Sequence, residues 1–520
     1  VSKAKKRAQK KPTKDAARAE AVPARPADGC AMVIFGASGD LTARMLLPAL
    51  AHLTSEHALP DGFFVLGVSR TPMSHEAFRK AMTDAVEKAF RDQPDVRPMP
   101  SELRDNLYYL SAEFDDPKTY SKIRASLSRE REKRGGGPEN HVFYLATPPA
   151  ADPLIVGMLG DAGLNREEGG AFSRVVVEKP FGHDLESGRA LNVEIRKEFR
   201  EDQIFRIDHY LGKETVQNIL VLRFGNGIFE PLWNRRYVDN VQIAVAESLG
   251  VGHRAGYYET AGVVRDMFQN HLLQLLCLTA MESPVRFDAN SVREEKVKVL
   301  RAIRPIPSAE ISDWAVRGQY SSGVVDGEKV PAYREEANVS SRSQTPTYAA
   351  VRFAIDNWRW AGVPFFLRSG KRLARRTTEI AIEFKEVPHM FFKEATNDRL
   401  EANVLRLRIQ PDEGISLKIL AKVPGAGMHV TPSVMDFPYA QLGVAEHGAY
   451  ERLLLDVVSG DATLFTRGDE VEEAWRVVTP ILEAFEERPP SGIPTYPAGT
   501  WGPKVADTFI EKTGRRWRRL

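Results

Sequence analysis

Short runs of consecutive apolar residues open the folded part of the chain, and strict alternation replaces them further on. The first run is Ala31-Met32-Val33-Ile34-Phe35. Phe63 to Val68, Leu107 to Leu110, His141 to Ala146 and Val175 to Val177 follow it. Uninterrupted runs of this length suit parallel strands buried on both faces. Helical patterns separate them, one from about Leu41 to Leu53 and a highly charged one from Arg124 to Arg134 that ends at Gly135-Gly136-Gly137. Strands alternating with helices predict an α/β, Rossmann-like doubly wound domain.

After Phe224 the period changes. Val241 to Glu247, Thr378 to Lys385, Val404 to Ile409 and Ser416 to Leu420 alternate apolar with mostly polar or small residues. Such half-buried strands predict an α+β domain with a large, mainly antiparallel sheet, whose open face is free to meet another subunit. Within it, Val263 to Leu276 reads as an apolar helix carrying Asp266 and His271. Five residues correspond to about 140° of an α-helix, so the pair is expected to flank a ligand from two sides and not to share a face. A histidine in so apolar a run is more often a satisfied core residue than a base.

Composition narrows the classes. A chain of 520 residues calls for at least two cores, and 42% hydrophobic with 27% charged residues is ordinary for a globular protein. A net charge of +2 selects neither nucleic acid nor an anionic membrane, and two cysteines build no disulfide framework. No apolar run is long enough to span a bilayer and no signal peptide is evident, which makes the cytoplasm the expected location. Residues 1–28 are rich in lysine, arginine, alanine and proline, the pattern of a disordered basic tail. Contact with nucleic acid or another polyanion is expected, if anywhere, through that tail.

Two stretches carry candidate chemistry. Gly36-Ala37-Ser38-Gly39-Asp40-Leu41 joins the first strand to a helix, where glycines let the backbone approach a pyrophosphate. At the end of the second strand, Ser69 and Arg70 suit a 2′-phosphate better than a free ribose hydroxyl, which favours NADP. The second stretch, Arg206 to Glu214, packs Asp208, His209, Tyr210 and Lys213 just before a helical run. A phosphate there gains from the helix N-terminus and from two nearby cations, although the spacing fits a solvated helix start equally well.

Taken together, these blocks resemble the glucose-6-phosphate dehydrogenase family. RIDHYLGKE at Arg206 to Glu214 is similar to that family's signature and GASGDL at Gly36 to Leu41 to its cofactor turn. EKPFG from Glu178, RDMFQNHLLQ from Arg265, FLRSGK from Phe366 and YPAGTWGP from Tyr496 continue the likeness, which spans about Ala31 to Pro503. The resemblance implies oxidation of glucose 6-phosphate at C1 to the 6-phosphogluconolactone, with His271 as general base and Asp208 orienting it. It implies that His209, Tyr210 and Lys213 hold the phosphate, and that Lys179, Glu247, Asp266 and Lys371 bind sugar hydroxyls or phosphate. Lys179 would also lie near the nicotinamide, before a cis bond to Pro180. Gly36, Ser38, Gly39, Asp40 and Leu41 would line the pyrophosphate cradle and Arg70 the 2′-phosphate.

The resemblance implies no metal. Thr42-Ala43-Arg44 stands where the family usually carries Ala-Lys-Arg or Ala-Lys-Lys, which leaves NAD as a second acceptor beside NADP. The expected organisation is a tail over 1–28, an NADP-binding domain over 29–205 and a substrate-binding and dimerisation domain over 206–520. A homodimer or dimer of dimers is expected. The alternatives are a dehydrogenase of another hexose phosphate and a non-catalytic NADP-binding regulatory protein.

Overall fold

The computed structural model describes residues 29–91, 99–389, 401–425, 427–442, 448–487 and 492–520. The basic tail over 1–28 lies outside them. The described residues divide into two compact units. One takes in the residues through Thr147 with 158–175 and 454–460, and the other 148–157, 176–453 and 461–520.

The apolar runs form a six-stranded sheet from β1 (Ala31–Phe35), β2 (Phe64–Ser69), β3 (Leu107–Ser111), β4 (His141–Leu145), β5 (Ser173–Val177) and β6 (Ile204–Arg206). The order is β3-β2-β1-β4-β5-β6. β1 pairs parallel with both β2 and β4, and β2 pairs parallel with β3. Every residue of β1, β2 and β4 is buried, which is why these segments carry no alternation. The charged helix is found over Pro117–Lys133. The helix after β1 departs from expectation, because a π-helical turn over Thr42–Leu46 precedes its α-helical stretch Leu47–Ser55.

The larger sheet contains β7 (Val238–Ala246), β8 (Ala315–Ser321), β11 (Tyr348–Ala354), β12 (Pro364–Gly370), β13 (Thr377–Phe384), β14 (Val404–Gln410), β15 (Gly414–Lys422), β16 (Val430–Pro438) and β17 (Thr495–Pro497); β9 (Gly323–Val325) and β10 (Glu328–Val330) make a separate hairpin. Its order is β16-β15-β14-β13-β7-β12-β11-β8-β17. Most neighbours are antiparallel, but β7 and β12 run parallel at its middle, in register from Val241↔Phe365 to Ala246↔Gly370. Three fully buried tryptophans anchor the surrounding core, each donating its indole N–H to a backbone carbonyl: Trp233 to Thr279, Trp360 to Ala280 and Trp475 to Phe181. The last bond ties helix Gly468–Glu487 to the loop after β5 that carries Lys179. Among the described residues no helix is long and apolar enough to cross a membrane.

Candidate active site

At the end of β6 the Ile207 N–H donates to the Val177 carbonyl at 3.0 Å, and the chain turns through Asp208 to Gly212 before helix Glu214–Phe224. Gly212 suits the turn because a Cβ there would stand 2.5 Å from the Ala449 carbonyl oxygen. The turn buries Asp208, whose Oδ1 accepts the Tyr210 N–H at 2.9 Å and faces His271 Nδ1 at 2.5 Å. His271 is 1% exposed. The Tyr210 ring stacks on its imidazole with centroids 4.3 Å apart, and His209 meets it edge-on at 4.5 Å.

The protonation of this pair follows from its partners. Burial works against the Asp208 carboxylate, but in the acid range where it titrates the His271 imidazole is charged, and that charge with the hydrogen bond outweighs burial and holds the carboxyl at about 2. Burial pushes His271 down, aided by Lys179 and opposed by Asp208. The imidazole is therefore neutral at neutral pH, with Nδ1–H donating to a carboxylate that only accepts. Nε2 keeps its lone pair, and the Lys179 ammonium, which only donates, lies 3.0 Å from it.

The segment presenting His271 is not an α-helix. Val264–Leu272 is a π-helix that becomes α-helical over Leu273–Ala280. In π-helical bonding residues five apart stand one above the other, so Asp266 and His271 come to the same side, contrary to the α-helical expectation. Lys179 demonstrates the alignment, since its Nζ reaches His271 Nε2, Asp266 Oδ1 at 3.4 Å and the Asp266 carbonyl at 3.3 Å. Burial disfavours the Asp266 carboxylate, but Lys179, Lys371 and Arg254 outweigh it and keep the group ionised far below the usual range. Lys371 donates to Glu247 Oε2 at 2.7 Å and lies 4.0 Å from Asp266 Oδ2. The six polar residues Lys179, Asp208, Glu247, Asp266, His271 and Lys371 thus form one connected cluster.

Lys213 also approaches Tyr210, its Nζ 5.0 Å from the ring centroid. It donates to Gln410 Oε1 at 2.6 Å, and Arg376 donates to the same oxygen at 3.1 Å. Burial, and then the Arg376 charge, lower the Lys213 pKa. Two cations sharing one neutral acceptor is an arrangement suited to a dianion such as phosphate. Sequence reasoning missed Arg376 and Gln410. Arg376 was visible as part of a basic run after Lys371, whereas Gln410 has no local signal, being 197 residues from Lys213. Tyr257 was missed too; its hydroxyl lies 3.4 Å from Asp266 Oδ1.

In the other unit the glycine turn has the form expected of a cradle. Gly36 has φ +81°, and a Cβ there would collide with the Ala146 carbonyl oxygen, so no other residue fits. The Gly36 N–H donates to Val68 and the Gly39 N–H to Gly36. Ser38 hydrogen-bonds the Ser69 and Thr71 hydroxyls at 2.8 and 3.1 Å, which ties the turn to the carboxyl end of β2. Ser38, Gly39, Asp40 and Arg70 are exposed, Gly36 and Leu41 partly so. Arg44 reaches Asp40 at 3.2 Å. The backbone approach and the exposed arginine fit a phosphate-bearing dinucleotide. Asp208, His209 and His271 also bring ligand-type atoms within 4.8 Å of one another. The ammonium at Nε2 and the direct Asp208–His271 bond oppose a cation there.

A buried imidazole paired with a carboxylate in one unit, and a strand–glycine turn–helix in the other, are features found among nicotinamide-dependent oxidoreductases. Comparison with known proteins narrows that class. Residues 33–218 match the family model for the glucose-6-phosphate dehydrogenase NAD binding domain, and residues 220–518 the model for its C-terminal domain. The glucose-6-phosphate 1-dehydrogenase of Aggregatibacter actinomycetemcomitans is 49% identical over 495 residues, with 95% of this chain and 98% of the relative covered. That of Chlamydia pneumoniae is 46% identical, with 94% and 96% covered. A solved glucose-6-phosphate dehydrogenase in complex with its substrate glucose-6-phosphate superposes with a TM-score of 0.85 at 35% identity, over 96% of this chain and all of that one. The chain belongs to the glucose-6-phosphate dehydrogenase family.

Proposed function

We propose that the protein oxidises D-glucose 6-phosphate at C1 to 6-phospho-D-glucono-1,5-lactone with NADP as the preferred acceptor, the first step of the oxidative pentose phosphate pathway. His271 Nε2 takes the proton of the C1 hydroxyl as hydride leaves C1. When bound, the nicotinamide accepts that hydride. Asp208 holds the imidazole by Nδ1 and stabilises the imidazolium that forms, while Lys179 beside Nε2 keeps the resting base unprotonated. His209, Tyr210 and Lys213 grip the phosphate, with Arg376 and Gln410 added to the set, and Glu247, Asp266 and Lys371 bind sugar hydroxyls or phosphate. Gripping the phosphate far from C1 positions the reacting carbon without touching the chemistry. Gly36, Ser38, Gly39, Asp40 and Leu41 carry the cofactor pyrophosphate, Arg70 takes the 2′-phosphate, and NAD serves as a second acceptor.

The observation that carries this reading is the 2.5 Å contact between His271 and Asp208, with Nε2 left as the proton acceptor. We assign cofactor binding to residues 29–205 and substrate binding and dimerisation to 206–520, and place the reaction in the cytoplasm. Pairing of two copies, alone or as a dimer of dimers, is assigned to the larger sheet, where Val434, Met435 and Phe437 of β16 are exposed. The test is absorbance of reduced nicotinamide with glucose 6-phosphate or glucose, each with NADP or NAD. Fast reduction with the phosphorylated sugar, faster with NADP, is expected. Equal rates with glucose would remove the phosphate grip, and no reduction by folded protein would refute the reading.

A further inference from the structure

We propose that Asn270 is a positioning residue for the reaction, a side-chain brace across one π-helical turn that fixes the backbone of His271. The inference rests on the reading of His271 as general base. Asn270 is 5% exposed, and both ends of its carboxamide are engaged within its own helix. Oδ1 accepts the His271 N–H at 2.6 Å, and Nδ2 faces the Arg265 carbonyl at 3.4 Å. The brace therefore spans residues 265 to 271, the turn that contains Asp266.

That turn has a specific weakness. In the π-helical pattern of Val264–Leu272 the acceptor position five residues before the His271 N–H is the Asp266 carbonyl, which receives the Lys179 ammonium at 3.3 Å. An oxygen shared with a cation is a poorer acceptor for the helix rung, and Asn270 Oδ1 gives the same N–H a second acceptor. The far end of the brace is fixed in turn, because the Arg265 guanidinium donates to the His183 carbonyl at 2.8 Å and to Glu486 at 3.0 Å. Asparagine side chains ordinarily disturb helices by competing for backbone groups. Here the competition holds open the wide turn on which the alignment of Asp266 with His271 depends.

The charged and titratable groups facing the imidazole are Asp208 at Nδ1, Lys179 at Nε2, Asp266, His209 and Tyr210. Asn270 carries no charge and acts on this set through geometry alone. The test compares Asn270→Ala, Asn270→Asp and His271→Ala in the full chain, measuring kcat and KM against pH together with melting temperature. Asn270→Ala should lower kcat about 10- to 100-fold, with KM for glucose 6-phosphate within about threefold. Its acid limb should move to lower pH, because a loosened imidazole feels less of the Asp208 carboxylate. Asn270→Asp keeps the acceptor for the His271 N–H, so it should recover much of kcat, while its added charge moves the acid limb to higher pH.

Displacements of opposite sign are a signature that simple loss of stability does not give. An unchanged kcat and acid limb in Asn270→Ala, with only a lower melting temperature, would overturn the proposal. So would equal losses in both asparagine variants with the limb unmoved. His271→Ala separates the two inferences: turnover lost by several powers of ten with substrate still bound keeps the base in place whatever Asn270 does. Retained turnover would remove the base itself.

Discussion

Replacing Asp208 by asparagine deletes one buried charge while keeping the side chain's shape, and the structure sets the size of the effect. The resting imidazole is neutral, so the carboxylate matters most when His271 has taken the proton. With Nδ1 and Oδ1 2.5 Å apart, the centres of the two charges lie about 4 Å apart, and at an effective dielectric constant of about 20 their attraction is about 4 kcal/mol. Losing it from the transition state slows turnover by about three powers of ten. An asparagine whose Nδ2 faces the ring adds to the loss, because it favours the tautomer that leaves Nε2 protonated. The assay is initial rate at saturating glucose 6-phosphate and NADP, with KM measured alongside and the rate followed against pH. The variant's base should titrate lower than the parent's. The Asp208 carboxylate also stabilises the fold above pH 4, a contribution lost as pH falls from about 4 to 2 and absent from the variant at assay pH, so melting temperature is measured with the rate. A kcat within about tenfold of the parent, or a loss confined to KM, would refute the argument.

Lys213→Ala should raise KM for glucose 6-phosphate about 10- to 100-fold, the worth of one charged hydrogen bond, with kcat changed only a few-fold. An equal fall in kcat would show that Lys213 acts on the chemical step. Arg70→Ala should weaken NADP at least about tenfold more than NAD, and equal weakening of both would remove Arg70 as the 2′-phosphate ligand. His141 in β4 is pushed down to about 4 by burial and by the charges of Arg131 and Arg124. Between about pH 6.5 and 4 the unfolded chain takes up a proton that the folded chain refuses, so stability falls as pH drops through that window. His141→Gln should flatten that part of a curve of denaturation midpoint against pH. An unchanged slope would clear His141 of responsibility.

The parts of the fold that were legible are those in which burial acts locally. β1 was read residue for residue because all five side chains are apolar and buried, and β14 was read to within one residue because alternation marks one covered face. What periodicity could not give was pairing. Nothing in Val241 to Glu247 or in Phe366 to Lys371 says that the two strands run side by side in the same direction. The spacing of Asp266 and His271 was read correctly but converted with the wrong helix, since 3.6 residues per turn is an assumption that π-helical bonding breaks. Asp208 and Lys213 were found through a dense local motif. Gln410 was not, because it reaches Lys213 only through tertiary structure and stands in a strand that looks like any other.

The parallel pairing of β7 and β12 has the character of a setting made once for several side chains. Two antiparallel strands would send Glu247 and Lys371 to opposite ends of the sheet; parallel strands deliver both to one end, one residue beyond the Ala246↔Gly370 pair. Going from one strand to the next in the same direction requires a long crossover, and the segment making that excursion includes Val264–Leu272 and so brings Asp266 and His271 with it. Slipping β12 by a single residue would turn each of its side chains to the opposite face and carry Lys371 away from Glu247. The ladder of backbone hydrogen bonds thus works as a ruler for charge, and drift in the intervening loops leaves its graduations unchanged.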